Sequence, residues 1–169
     1  MATLISEPAR PKPITPDTYE RALSVGAILL LVAAIVAVGR GYADWPRIPM
    51  SVWAHLAMIF VALALTPVML LRRRGDARHR KLGWVWVSAM ILTAFISLLI
   101  DNPHLNRFSY IHILSVFVLI QAPLIAYKAR THKIKSHRLN VRAMVTGALL
   151  IAGFFTFPFD RLLGHWLFA

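Results

Sequence analysis

Residues 48–71 read IPMSVWAHLAMIFVALALTPVMLL and run directly into Arg72-Arg73-Arg74. These 24 residues contain no Lys, Arg, Asp or Glu. As an α-helix at 1.5 Å per residue they extend about 36 Å, enough for a hydrocarbon core of about 30 Å with some tilt. A strand of a membrane barrel would alternate apolar and polar residues, and this run does not. Lipid cannot satisfy an open backbone, so the run reads as a membrane-spanning helix that stops where the arginines begin.

Four further uncharged runs flank it: Ala22–Gly39, Leu82–Ile100, Phe108–Tyr127 and Ala143–Phe159. The chain therefore reads as an all-α membrane protein with five transmembrane helices. Residues 1–21 form a tail in which Pro8, Pro11, Pro13 and Pro16 disfavour helix. No cleavable leader is expected, because the region before the first run is long and of balanced charge and no small-x-small site stands clearly after it. Residues 160–169, too short to span, carry Leu162, Leu163, Trp166, Leu167 and Phe168 and suit an interfacial segment.

Arginine and lysine set the orientation. Arg72, Arg73, Arg74, Arg78, Arg80 and Lys81 follow the second run, and Lys128, Arg130, Lys133, Lys135, Arg138 and Arg142 follow the fourth. The opposite ends hold Arg40, Arg47, Arg107 and Arg161. This distribution predicts a cytoplasmic (inner) membrane protein with its N-terminus inside and its C-terminus outside. The acids Asp44, Asp101 and Asp160 fall at outer ends, and Asp76 is the one acid in a cytoplasmic loop. A net charge of +12 raises the question of nucleic acid. Its confinement to segments between apolar spans instead points to the lipid bilayer as partner. The chain has no cysteine, which excludes disulfides, thiolate metal sites and iron–sulfur clusters. It also lacks a phosphate-cradling glycine loop and a serine-hydrolase elbow. Enzymatic activity is left open.

Spans two and three repeat weakly in spans four and five. Each pair has a serine then a histidine (Ser51 and His55; Ser109 and His112), a proline (Pro67; Pro123) and a basic loop ending in His-Arg (His79-Arg80; His137-Arg138). The repeat predicts a four-helix core of two parallel hairpins, with the first span added at the N-terminal side. An intramembrane histidine is costly and is a candidate functional group. His55 and His112 sit at one depth on equivalent helices, so they could clamp one haem iron axially. His79 and His137 form a candidate second pair near the cytoplasmic surface, with Arg80 and Arg138 placed for haem propionates. The competing reading is plain interhelical hydrogen bonding by the first pair and solvation of the second. Outer residues Asp101, His104, Asp160 and His165 give a weaker divalent-ion pattern, and Gln121 is expected to bond a neighbouring helix.

The intraspan His55, the basic loop and His79-Arg80-Lys81-Leu82-Gly83 opening the next helix resemble a family of bacterial multi-span membrane proteins of no established activity. The likeness covers roughly residues 50–159. It implies a four-helix core with one added N-terminal span. A looser resemblance is to two-haem cytochromes b, in which the second and fourth helices share one haem and the third and fifth the other. That likeness implies b-type haem on His55 with His112 and on His79 with His137, electron transfer, and a redox partner such as a quinol. It departs from that family where the second pair lies at the membrane edge and where Val141 stands for Gly83. Two other functions compete: a non-catalytic structural or accessory subunit of a larger membrane complex, and a small-solute or metal transporter.

Overall fold

The computed structural model describes residues 15–72, 74–100, 110–158 and 161–168. Among them there is no strand. The chain forms α1 (Thr18–Arg40), a 3-10 turn (Gly41–Arg47), α2 (Met50–Leu71), α3 (Ala77–Leu99), α4 (Tyr110–Arg130) and α5 (Ile134–Met144). A π-helical stretch (Val145–Ile151) continues α5 into α6 (Ala152–Phe154), and α7 (Leu162–Phe168) ends the described chain. Four helical segments, Thr18–Arg47, Met50–Leu71, Ala77–Leu99 and His112–Arg130, are long and apolar enough to cross a membrane.

The first helix begins earlier than the apolar run implies. Asp17 caps it: the Glu20 amide donates to Asp17 Oδ1 at 3.0 Å, and the Asp17 amide donates back to Glu20 Oε2 at 3.3 Å. This reciprocal box satisfies two backbone donors that would otherwise be orphaned. So residues 18–21, expected in the tail, are the first turn of α1.

The fifth run also differs from expectation. The helix starts at Ile134, includes Arg138 and Arg142, and leaves regular geometry after Phe154, short of Phe159. Its middle is underwound and widened: the Ala152 amide donates to the Gly147 carbonyl five residues back. Thr156 and Phe157 amides then close turns on Gly153 and Phe154, and Pro158 follows.

The bundle closes on itself. α1 packs on α2, α2 on α3, α3 on α4, α4 on α5, and the π-helical stretch returns to α1. α1 is thus part of the core and not an addition to it. Its Leu23 and Ala27 join Ala62 and Leu63 of α2, Trp86 and Met90 of α3, Ala122 of α4 and Met144, Val145 and Leu149 in one buried cluster. Ala27, Ala37, Ala62 and Ala122 are wholly buried. Small side chains there let the backbones approach, as association in lipid requires. The outward faces are apolar, with Leu29 65%, Ile113 67% and Phe154 62% exposed. Such a continuous apolar girdle is unsuited to water and suited to hydrocarbon.

Asp76 caps α3 by accepting the His79 amide at 2.6 Å, and Arg72 Nη2 donates to its other oxygen at 3.1 Å. The bond from that amide, ahead of the arginine, holds the Asp76 carboxyl below its ordinary value of 3.8. A carboxyl depressed on folding stabilises the fold at pH above its unfolded value, and that contribution disappears as pH falls through the folded value. Thermal unfolding in detergent between pH 7 and pH 3 is therefore expected to show a loss setting in below about pH 4. Asp76→Asn keeps the capping oxygen but cannot titrate, and should show a smaller acid loss than the parent. Equal acid sensitivity of the two would refute the assignment.

Candidate functional site

The members of the first expected histidine pair lie on different helices. His55 is on α2 and His112 on α4, both half-buried, and α2 and α4 each pack along α3 instead of along one another. His55 Nδ1 lies 3.3 Å from the Thr93 carbonyl oxygen of α3. A carbonyl only accepts, so Nδ1 carries the proton and Nε2 keeps its lone pair. His137 makes the same kind of bond within its own hairpin, from Nδ1 to the Ile125 carbonyl at 3.0 Å.

Of the second expected pair, His79 is half-buried in the first turn of α3 and His137 is half-buried on α5. The charges that bear on His79 include His137, Arg74, Asp76 and Arg72. His79 Nδ1 is buried and has no hydrogen-bond partner among the described residues. Both expected propionate partners, Arg80 and Arg138, bond other groups of the protein. Arg80 is exposed and donates to the Gly75 carbonyl at 2.8 Å, which the left-handed backbone at Gly75 (φ 85°) turns toward it. Arg138 is committed to Glu20. Among the described residues no three His, Asp or Glu side chains gather to hold a metal ion. Asp101, His104 and Asp160 lie outside the described residues, and His165 is exposed. Gln121 bonds a neighbouring helix as expected: Asn140 Nδ2 donates to its Oε1 at 3.0 Å.

The most concentrated polar chemistry is one the sequence reading passed over. Glu20, 1% exposed, is held by three arginines at the basic end of the bundle. Arg138 grips it with both edges of its fork, Nε to Oε1 at 2.7 Å and Nη2 to Oε2 at 2.9 Å. Arg142 Nη2 is 3.1 Å from Oε1, and Arg74 pairs with Oε2. Asp17 adds a second carboxylate, pairing with Arg142 and with Arg138 at 3.1 Å. The Glu20 amide first, and then Arg142, hold the Asp17 carboxyl below its usual value. Tyr19 completes the seat: its hydroxyl is 2.6 Å from Thr146 Oγ1, and the Arg142 guanidinium lies 5.6 Å from its ring. The start of α1 is thereby joined to the segment after α2 and to α5.

The opposite end is aromatic. Trp53 meets Trp45 edge to face at 5.4 Å and stacks with Trp166 at 6.5 Å. Trp166 Nε1 donates to Asp44 Oδ2 at 3.0 Å. The expected interfacial segment is in fact a docked helix: α7 lies on α1 with Leu163 and Trp166 buried. Beside it a cleft of about 420 Å³ opens between residues 39–44 and His165 and Trp166.

No protein-family model matches the chain, and neither the curated proteins nor the solved structures offer one that does.

Proposed function

We propose that this chain is an integral protein of the cytoplasmic membrane that crosses it five times, N-terminus inside and C-terminus outside, and serves as a non-catalytic structural or accessory component of a membrane assembly. One observation carries the reading: the buried carboxylate, Glu20, is spent on holding helices together through Arg74, Arg138 and Arg142. The interior around it is filled by side chains from all five long helical segments. The fifth crossing is α5 with its π-helical continuation and α6, unbroken from Ile134 to Phe154. Because the chain has no cysteine, single introduced cysteines report sidedness directly. Arg78→Cys should label with an impermeant maleimide only after the membrane is opened, and Tyr42→Cys should label in intact cells. The reverse pattern would overturn the orientation.

A b-type haem protein is the second reading. It is favoured by the Nδ1-to-carbonyl bonds of His55 and His137, which leave Nε2 as the ligating nitrogen, the arrangement that metal-bound histidines use. The reduced-minus-oxidised spectrum of protein purified from haem-replete membranes decides between the two. The structural reading expects no haem bands. Bands that vanish in His137→Ala would establish the haem reading in its place.

A further inference from the structure

A groove of about 230 Å³ runs between α3 and α4 near the basic end of the bundle, outside the Glu20 network. Its floor and walls are Trp84, Val87 and Ile91 of α3 and Pro123 and Ala126 of α4, nearly all carbon, and Arg130 closes it on the side of the basic turn. The Arg130 guanidinium lies 4.9 Å from the centre of the Trp84 ring. Stacking on an indole fixes the guanidinium while leaving its N–H edges available. None of the ion pairs among the described residues involves Arg130. A second cation stands alongside, with Lys133 Nζ 5.9 Å from the Tyr127 ring. Trp84 and Tyr127 are 48% and 56% exposed, the disposition of aromatic residues at a membrane–water interface.

We propose that this groove binds an anionic phospholipid, with one acyl chain against Val87, Ile91 and Ala126 and the phosphate on the edges of Arg130, aided by Lys133. The occupant follows from what the site joins: an apolar trough open to the bilayer, and at its basic end Arg130 oriented on Trp84, with Lys133 beside the lining residue Tyr127. Basic pockets between membrane helices take anionic headgroups in this way. A soluble anion would use the cations and leave the trough empty. The proposal rests on the membrane-spanning reading.

The test uses the full chain in nanodiscs of phosphatidylcholine doped with phosphatidylglycerol, with retained lipid counted by native mass spectrometry after extraction. Phosphatidylglycerol should be retained in preference to phosphatidylcholine. Arg130→Ala should weaken that retention about fivefold, the share of one basic residue at a membrane surface. Ala126→Phe should displace lipid by filling the trough with the charge untouched, while Arg80→Ala, equally basic and at the same end, should change nothing. Equal losses in Arg80→Ala and Arg130→Ala would reduce the effect to general surface charge and overturn the site. So would unchanged retention in Arg130→Ala, or full displacement by millimolar inorganic phosphate. Failure of the parent chain to sediment with membranes would instead overturn the membrane reading on which the proposal stands.

Discussion

Glu20→Ala is expected to lower the unfolding free energy in detergent by about 3–5 kcal/mol, the cost of removing one partner from a buried ion pair. The loss arises less from the missing bonds than from what stays behind. Arg74, Arg138 and Arg142, with side chains 16%, 30% and 22% exposed, would be left at the bundle end with Asp17 as the remaining acid beside them. Arg138 and Arg142 can turn partly toward water, which places the effect toward the lower end of that range. Glu20→Gln separates the contributions. Glutamine can keep the reciprocal cap with Asp17 but supplies no charge, so it should recover only the capping share of the loss. Urea or SDS unfolding followed by circular dichroism reads both variants. If Glu20→Gln unfolds like the parent, charge is not what holds this end together.

The second large effect is expected at the other end, from Gly164→Ala. A Cβ at Gly164 would overlap the backbone carbonyl of Phe157, an obstacle that no side-chain rotation relieves. α7 must move, and Trp166 then leaves its place against Gly41 and Trp53. Truncating a buried tryptophan costs about 3–5 kcal/mol, and Trp166→Ala is expected in that range because Trp166 is 4% exposed and bonded to Asp44. The two substitutions remove the same docking, so the double variant should lose little more than either single one. Protease cleavage within residues 159–169 should accelerate in all three. Additive losses would mean that Gly164 and Trp166 act separately and that α7 is not one docked unit.

Several features were readable in the sequence. The uncharged length of Ile48–Leu71 is enough for a helix that lipid can accept, and the arginines that follow mark its end. The pattern Asp17-Thr-Tyr-Glu20 also carries a capping signature, acid then Glu three residues on before an apolar run. It was legible as the true start of α1 and was obscured by the prolines just before it. Which histidines meet was not legible, because order in the chain does not state which helices touch. α2, which carries His55, and α4, which carries His112, both pack along α3.

By itself the sequence marked out the long apolar helices: hydrogen bonding and hydrophobicity are local, and some twenty uncharged residues are long and apolar enough for a helix that lipid accepts. The tertiary structure decided which polar groups meet. Glu20 finds Arg138 and Arg142 from 118 and 122 positions away, and Arg130 finds the ring of Trp84. Those meetings depend on the closure of α1 against the π-helical stretch and on the packing of α3 along α4. Closure and packing follow from the shapes of whole helix faces, which no short window of residues contains.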